Sequence, residues 1–205
     1  MLLIGAGGHA LECFDILSKN YQYDFLEFYD EISGNSHFMK KYNIIKDQRD
    51  LEGHFEKDPR FVLAVGNPKL REYFYERFTN AGGQMVNLFG FQNTVSAFSE
   101  YATADVFNLC FLGSKVRIGK GSLVNTGAQI HSAVAVGEFC EISPKAVLSN
   151  SVQIGSNTRI GANATILPNI SIGNHVVVGA GAVVTDDIPD HVLVVGVPGK
   201  IIKEI

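Results

Sequence analysis

Two stretches of this chain carry residue types that could do chemistry. The first is Gly5-Ala6-Gly7-Gly8-His9-Ala10, which follows the apolar run Leu2-Leu3-Ile4 and precedes a helical pattern. Read as G-x-G-x-x-A, this is a strand–loop–helix unit whose backbone N–H groups and helix start can hold an anion. Asp30, twenty residues past Ala10, ends a second strand and stands where an acid can reach a ribose hydroxyl. The second stretch is His131-Ser132, followed by Glu141. Here an imidazole, a hydroxyl and a carboxylate interrupt a region whose exposed positions are mostly Lys, Ser, Asn, Gln and Gly. An imidazole is the side chain best suited to take a proton near neutral pH. A lone His on a repeating surface is still more often bland than catalytic, and His175 is one such case. His9 reads as a ligand contact or helix-start residue.

The elements that must position these groups differ in kind. From Leu112 an aliphatic residue recurs every sixth position through Ile118, Val124, Ile130, Val136, Ile142, Leu148, Ile154, Ile160, Ile166, Ile172 and Val178. The next residue is often Gly, and the fourth is small or β-branched in every hexad (Val116, Ser122, Ala128, Val134, Cys140, Ala146 and onward). Six residues drift off one helical face within two repeats, so the pattern cannot be a helix. A six-residue period marks a parallel β-helix, whose coils are stable only when stacked. Counting backwards gives Val106, Glu100 and Thr94, which predicts a degraded first coil. At the other end Thr185-Asp186-Asp187-Ile188-Pro189 reads as the end of the ladder, with Val192–Val195 and the tail folding over the last coil.

Before residue 89 strands alternate with helices: Leu2–Ile4, Phe25–Tyr29, Phe61–Val65 and Met85–Leu88 as strands, with a helix over about 69–80. Residues 32–58 read as a crossover with one short helix. The expected organisation is an α/β half-Rossmann domain over 1–88 and a β-helix with a C-terminal cap over 89–205. An oxidoreductase that binds a dinucleotide needs two such halves. About 88 residues supply one, enough for a mononucleotide or a nucleotide-linked group.

Composition excludes other classes. A formal charge of −4, with scattered Lys and Arg, leaves no basic footprint for nucleic acid or an anionic membrane surface. Cys13, Cys110 and Cys140 form no CxxC and no even framework, so they read as buried reduced thiols. Met1-Leu2-Leu3-Ile4 breaks at Gly5 before a signal-like apolar region forms, and no run approaches membrane-spanning length. A cytoplasmic protein is expected.

The whole chain resembles the bacterial sugar-acyltransferase family that includes sialic acid O-acetyltransferases and UDP-amino-sugar N-acetyltransferases. The resemblance rests on Ile4 to Ala10, Phe28-Tyr29-Asp30-Glu31, and Ala64-Val65-Gly66-Asn67-Pro68-Lys69-Leu70-Arg71. It continues through Val124 to Ala128, Val136 to Phe139, Ile142-Ser143-Pro144, Gly179 to Pro189, and Val197-Pro198. It implies a left-handed β-helix with three hexads per coil, a homotrimer, and acetyl-CoA as cosubstrate between neighbouring helices, with no metal. It assigns the donor to Gly161, Ala162, Gly179 and Ala180. It assigns a sugar or sugar nucleotide to Gly5, Gly7, Gly8, His9, Asp30, Asn67 and Arg71. The reaction would pass an acetyl group to an amine or hydroxyl of a sugar in surface-glycan synthesis.

The family base is a His five residues before the Gly that matches Gly137, and that position here is Ser132. His131 stands where the family has Glu, and Glu141 where it has a second His. Phe89-Gly90-Phe91 replaces a family Ile-His-Pro. Two readings follow. In one, His131 is the base, oriented by Glu141 on the adjacent strand, with Ser132 beside it. In the other, the base is lost and the protein is a trimeric binding or accessory subunit.

Overall fold

The structure, a computed structural model, describes residues 1–101 and 103–205. It contains two compact units: Met1–Gly66 with Leu70–Leu88, and Asn67–Lys69 with Phe89–Ile205.

The first unit is built on β1 (Leu2–Ile4), whose three side chains are all buried. It lies between β2 (Glu27–Tyr29) and β5 (Arg60–Leu63), parallel to both. Helices α1 (Gly8–Asn20), α2 (Gln48–Phe55) and α3 (Pro68–Asn80) connect or follow the strands. The short strand β6 (Gln84–Met85) pairs with β5. Residues 32–58 hold more than a crossover. A turn joins β3 (His37–Phe38) to β4 (Tyr42–Ile45), and β4 runs parallel to β2, giving the order β3-β4-β2-β1-β5-β6. Four residues were too few for a periodic signal. Asp47 caps α2 by accepting the Asp50 N–H at 2.9 Å.

At the start of β2, His54 of α2 is buried with its Nδ1 2.8 Å from Glu27 Oε2, and its ring stacks on Phe25. Burial pushes the imidazole pKa below its usual value, against the opposing pull of Glu27. The unfolded chain therefore takes up this proton at a higher pH than the folded chain. The contribution is intact above the unfolded value near 6.5 and is lost as pH falls through the lower folded value. We expect amide exchange in α2 to accelerate as pH is lowered through this window, after correction for intrinsic rates. A His54→Gln variant should lack the effect; equal pH dependence in both proteins would contradict it.

The second unit is a left-handed parallel β-helix. Register advances by eighteen residues per coil, as in Gln129↔Val147, Ala135↔Gln153 and Glu141↔Arg159. Each coil therefore has three two-residue strands, one on each of three faces. Face one carries the strands ending at Leu112, Ile130, Leu148, Ile166 and Val184. Face two carries those ending at Ile118, Val136, Ile154 and Ile172, and face three those ending at Val106, Val124, Ile142, Ile160 and Val178. These aliphatics and the small fourth-position residues form one buried core. Each fully buried aliphatic contributes roughly 1.5–3 kcal/mol.

Three residues past each aliphatic the backbone turns with φ between 51 and 73°, at Leu109, Lys115, Gly121 and every sixth residue to Gly181. The left-handed region favours Asn among side-chain-bearing residues, and Asn157, Asn163 and Asn169 occupy three of these turns. Where face two meets face three, the residue after the aliphatic is Gly in every regular coil: Gly119, Gly137, Gly155 and Gly173. Their φ is not positive; crowding is the reason. A Cβ on Gly119, Gly137 or Gly155 would lie 2.5–2.6 Å from backbone of the next coil. At the same corner the fourth-position residues are polar donors inside an apolar core. Ser122 Oγ, Cys140 Sγ and Thr158 Oγ1 donate to the carbonyls of Gly137, Gly155 and Gly173 at 2.8, 3.0 and 2.8 Å. Burial pushes the Cys140 thiol up to about 12, so it stays protonated as a donor. All three cysteines are buried and free.

Both ends of the solenoid differ from the period count. The first coil is present but one residue short: Thr94↔Phe111 and Val95↔Leu112 pair, and Glu100 bridges Arg117. The inward residues are thus Val95 and Tyr101, where counting by six selects Thr94 and Glu100. The ladder also continues past Thr185. Ile188 bridges Ile172 and Val194 pairs with Val178, in a coil shortened between Val184 and Ile188. Lys200–Glu204 then returns antiparallel along Val192–Val195.

Candidate active site

In the first unit the chain leaves β1 toward β2 on one side and later places β5 on the other. Such a reversal is the position at which open α/β sheets bind ligands in a crevice, here at the carboxyl ends of β1 and β5. Gly5 turns with φ +116°, and a Cβ there would sit 2.6 Å from the Ala64 carbonyl oxygen. Only Gly serves. A Cβ on Gly7 or Gly8 would meet nothing within 4 Å. These two keep open the approach to α1, whose N-terminus has no side-chain cap and no acid in its first turn. An anion fits that end of the helix. His9 stands in the first turn with Nδ1 3.2 Å from Glu12 Oε2.

Other expected ligand contacts are already committed. Asp30 accepts from Ala6 N at 3.1 Å through Oδ2, and from Ile32 N and Ser33 N at 2.9 Å each through Oδ1. Both oxygens thus fasten the glycine loop to the turn after β2. Arg71 is fully buried, and its Nη1 donates to the carbonyls of Leu63 and Val65 at 3.1 and 2.8 Å. It holds the end of β5 in place. Asn67 is exposed at the start of α3.

One network was not anticipated. Arg77 lies over the Tyr29 ring at 5.4 Å and donates to Glu31 Oε1 at 2.6 Å, and the Tyr29 hydroxyl donates to the same oxygen. Tyr29, then Arg77, hold the Glu31 carboxyl below its usual range, so it stays ionised beside the crevice strand.

In the second unit a pocket of about 310 Å³ lies on face three and its corner with face one. Gly161, Ala162, Gly179 and Ala180 line one part of it, and Glu141, Ser143 and Arg159 another. The N–H groups of Ala162 and Ala180, one coil apart, donate to no acceptor among the described residues. An extended ligand carrying amide carbonyls finds two donors there. Glu141 and Arg159 are register neighbours on adjacent coils, with Arg159 Nε 3.0 Å from Glu141 Oε2. Ser143 Oγ donates to Glu141 Oε1 at 3.0 Å. The Glu141 side chain is 7% exposed and that of Arg159 49%.

His131 lies elsewhere on the prism, at the corner where face one meets face two. Its ring is 5.5 Å from that of Phe111 one coil below, and its N–H donates to Leu148 O at 2.9 Å. Ser132, exposed beside it, accepts from Ser151 N at 3.0 Å through its carbonyl. The expected pairing of His131 with Glu141 from the adjacent strand is not made within the chain. Each hexad turns the coil by one face, so the strand holding Glu141 is two strands on from that before His131. Arg159, the actual partner of Glu141, was legible only as the outward residue one coil later. A larger hollow of about 720 Å³ near Tyr101 and Arg117 is lined by none of these candidates. Among the described residues, no three metal-ligating side chains cluster.

An open glycine loop at a helix start on one unit and a donor-lined pocket on a left-handed β-helix suit an acyltransferase of the hexapeptide-repeat type. Residues 1–78 match the family model of the PglD N-terminal domain, and residues 151–186 that of the bacterial transferase hexapeptide, six repeats. PerB from Caulobacter crescentus, solved in complex with CoA and GDP-perosamine, superposes with a TM-score of 0.88 at 27% identity. The match covers 98% of this chain and 96% of that one. The acetyltransferase domain of PglB from Neisseria gonorrhoeae FA1090, also solved with acetyl coenzyme A, matches at TM-score 0.87 and 28% identity over 98% of each chain. The chain is similar over nearly its whole length to bacterial hexapeptide-repeat sugar acetyltransferases. The accessory-subunit reading draws no support from these relatives.

Proposed function

We propose that the protein transfers the acetyl group of acetyl-CoA to the amine of a nucleotide-linked amino sugar. The face-three pocket carries this reading: free N–H groups of Ala162 and Ala180 lie in the same cavity as a charged pair. Its corner would hold the pantetheine arm, with the thioester at the Glu141–Arg159 end. The nucleotide diphosphate would lie on Gly7, Gly8 and the start of α1, where an anion is favoured. That PerB is solved with CoA and GDP-perosamine, and the PglB domain with acetyl coenzyme A, supports the choice of these two ligand classes.

His131 serves as the base that takes the amine proton, with Ser132 beside it as a hydrogen-bond partner for the acceptor. Because His131 and the pocket occupy different parts of one prism, the active unit is a homotrimer in which one copy's His131 faces the pocket of the next. Asp30 and Arg71 act by fixing the glycine loop and the end of β5. Asn67 and His9 would approach the sugar nucleotide from the first unit's ligand side. The reduced cysteines fit a cytoplasmic enzyme, and no helix of the described residues is long and apolar enough to cross a membrane.

The test is turnover. Incubation with acetyl-CoA and a panel of GDP-, UDP- and CMP-linked amino sugars should release free thiol and give an acetylated product by mass spectrometry. No turnover on any of them, with acetyl-CoA also failing to raise the melting temperature, would refute the proposal.

A further inference from the structure

We infer that Arg159 is the oxyanion-stabilising group of this enzyme, and that Glu141 positions it and is not a proton acceptor. The inference rests on the acyl-transfer reading above and extends it to a residue that reading did not include. Among the described residues, Arg159 is the one cation lining the pocket. Its Nε is committed to Glu141, while its Nη1 and Nη2 have no protein partner among the described residues. The Arg159 side chain is half exposed and lines the cavity while its anchor is almost buried, so a fixed base supports a donor fork presented there.

Glu141 is unsuited to take the amine proton: one oxygen accepts from Ser143 and the other faces Arg159. The rest of the cavity offers no competing charge. Val177, Val178 and Pro144 are apolar, and Pro144 has no N–H where Ala162 and Ala180 do. A thioester carbonyl at this end of the pocket would therefore meet the guanidinium as its strongest donor.

The step balances as follows. The acceptor amine nitrogen bonds to the thioester carbon, and the carbonyl π pair moves onto oxygen opposite Arg159 Nη. The amine proton passes to His131. Collapse restores the carbonyl, breaks the carbon–sulfur bond and expels the CoA thiolate, which takes the proton back from His131. The negative charge on oxygen exists only between these events, so donors aimed at it lower the barrier more than they strengthen binding.

The test is steady-state kinetics of the full chain with acetyl-CoA and the nucleotide amino sugar that the unsubstituted enzyme accepts. Arg159→Gln should lower kcat by about 100-fold or more, while the KM for acetyl-CoA and its thermal stabilisation stay near their original values. Because Arg159→Gln removes the cation beside Glu141, the double variant Glu141→Gln/Arg159→Gln should fold with a melting temperature close to that of the unsubstituted protein and show the same loss. Added guanidinium ion should restore part of the rate to Arg159→Ala and none to His131→Ala. Glu141→Gln alone should keep most of the pH dependence of kcat. Turnover that survives in the double variant, or a raised KM with kcat unchanged, would overturn the role given to Arg159 and leave acyl transfer standing. Absence of turnover by the unsubstituted protein would overturn both.

Discussion

His131→Ala is expected to lower kcat/KM by about 100-fold or more, the usual worth of a positioned general base. The proposed trimer and the expected acetyl-CoA-induced rise in melting temperature should be retained, because His131 makes its structural hydrogen bond through its backbone. The other imidazoles of the β-helix are not substitutes. His175 and His191 stack on each other at 4.7 Å on the corner between faces two and three. Ser132 cannot take a proton from an amine, so Ser132→Ala should cost far less than His131→Ala. Comparing single-turnover rates of the two variants checks this; a larger loss for Ser132→Ala would reverse the assignment.

The second large effect is structural. Gly155→Ala would place a methyl group 2.5 Å from the Gly173 carbonyl carbon and 2.6 Å from Asn174 N. The clash is with backbone, and Gly155 N and Gly173 N are both pinned, to Ile172 O and Ile188 O at 2.8 and 2.9 Å. The coils must part, which we expect to destabilise the β-helix by about 3 kcal/mol or more. Gly181→Ala is the matched control. Its φ of +69° disfavours a side chain, but its Cβ would meet nothing within 4 Å. That cost should be about 1–2 kcal/mol. Urea unfolding of the two variants separates crowding from backbone strain; equal losses would contradict the account.

The regular coils were legible because each repeats one instruction, an inward aliphatic every sixth residue. The ends were not, because shortening a coil by one or two residues moves the inward set without changing composition. Tyr101 and Ile188 are core residues that a strict count leaves outside. β4 escaped notice because Tyr42–Ile45 is a short strand in a polar stretch.

The candidate site was legible in part for a different reason. Gly7 and Gly8 act through what they lack, and spacing from the strand reveals that. Asp30 and Arg71 carry ligand-like chemistry, yet the fold uses them on its own backbone, and sequence spacing does not tell the two uses apart. Glu141 stands out in the sequence, but its neighbour in the fold is Arg159 rather than His131. In a prism of three faces the residue beside it lies eighteen positions on, at Arg159, and not ten positions back at His131.

The most direct test of the donor site is a crystal structure of the protein grown with CoA. The account predicts pantetheine along Ala162 and Ala180, the sulfur at the Arg159 end of the face-three pocket, and His131 of a neighbouring copy across from it. CoA bound away from this pocket, or a lone protomer with no neighbour's His131 facing the sulfur, would contradict it.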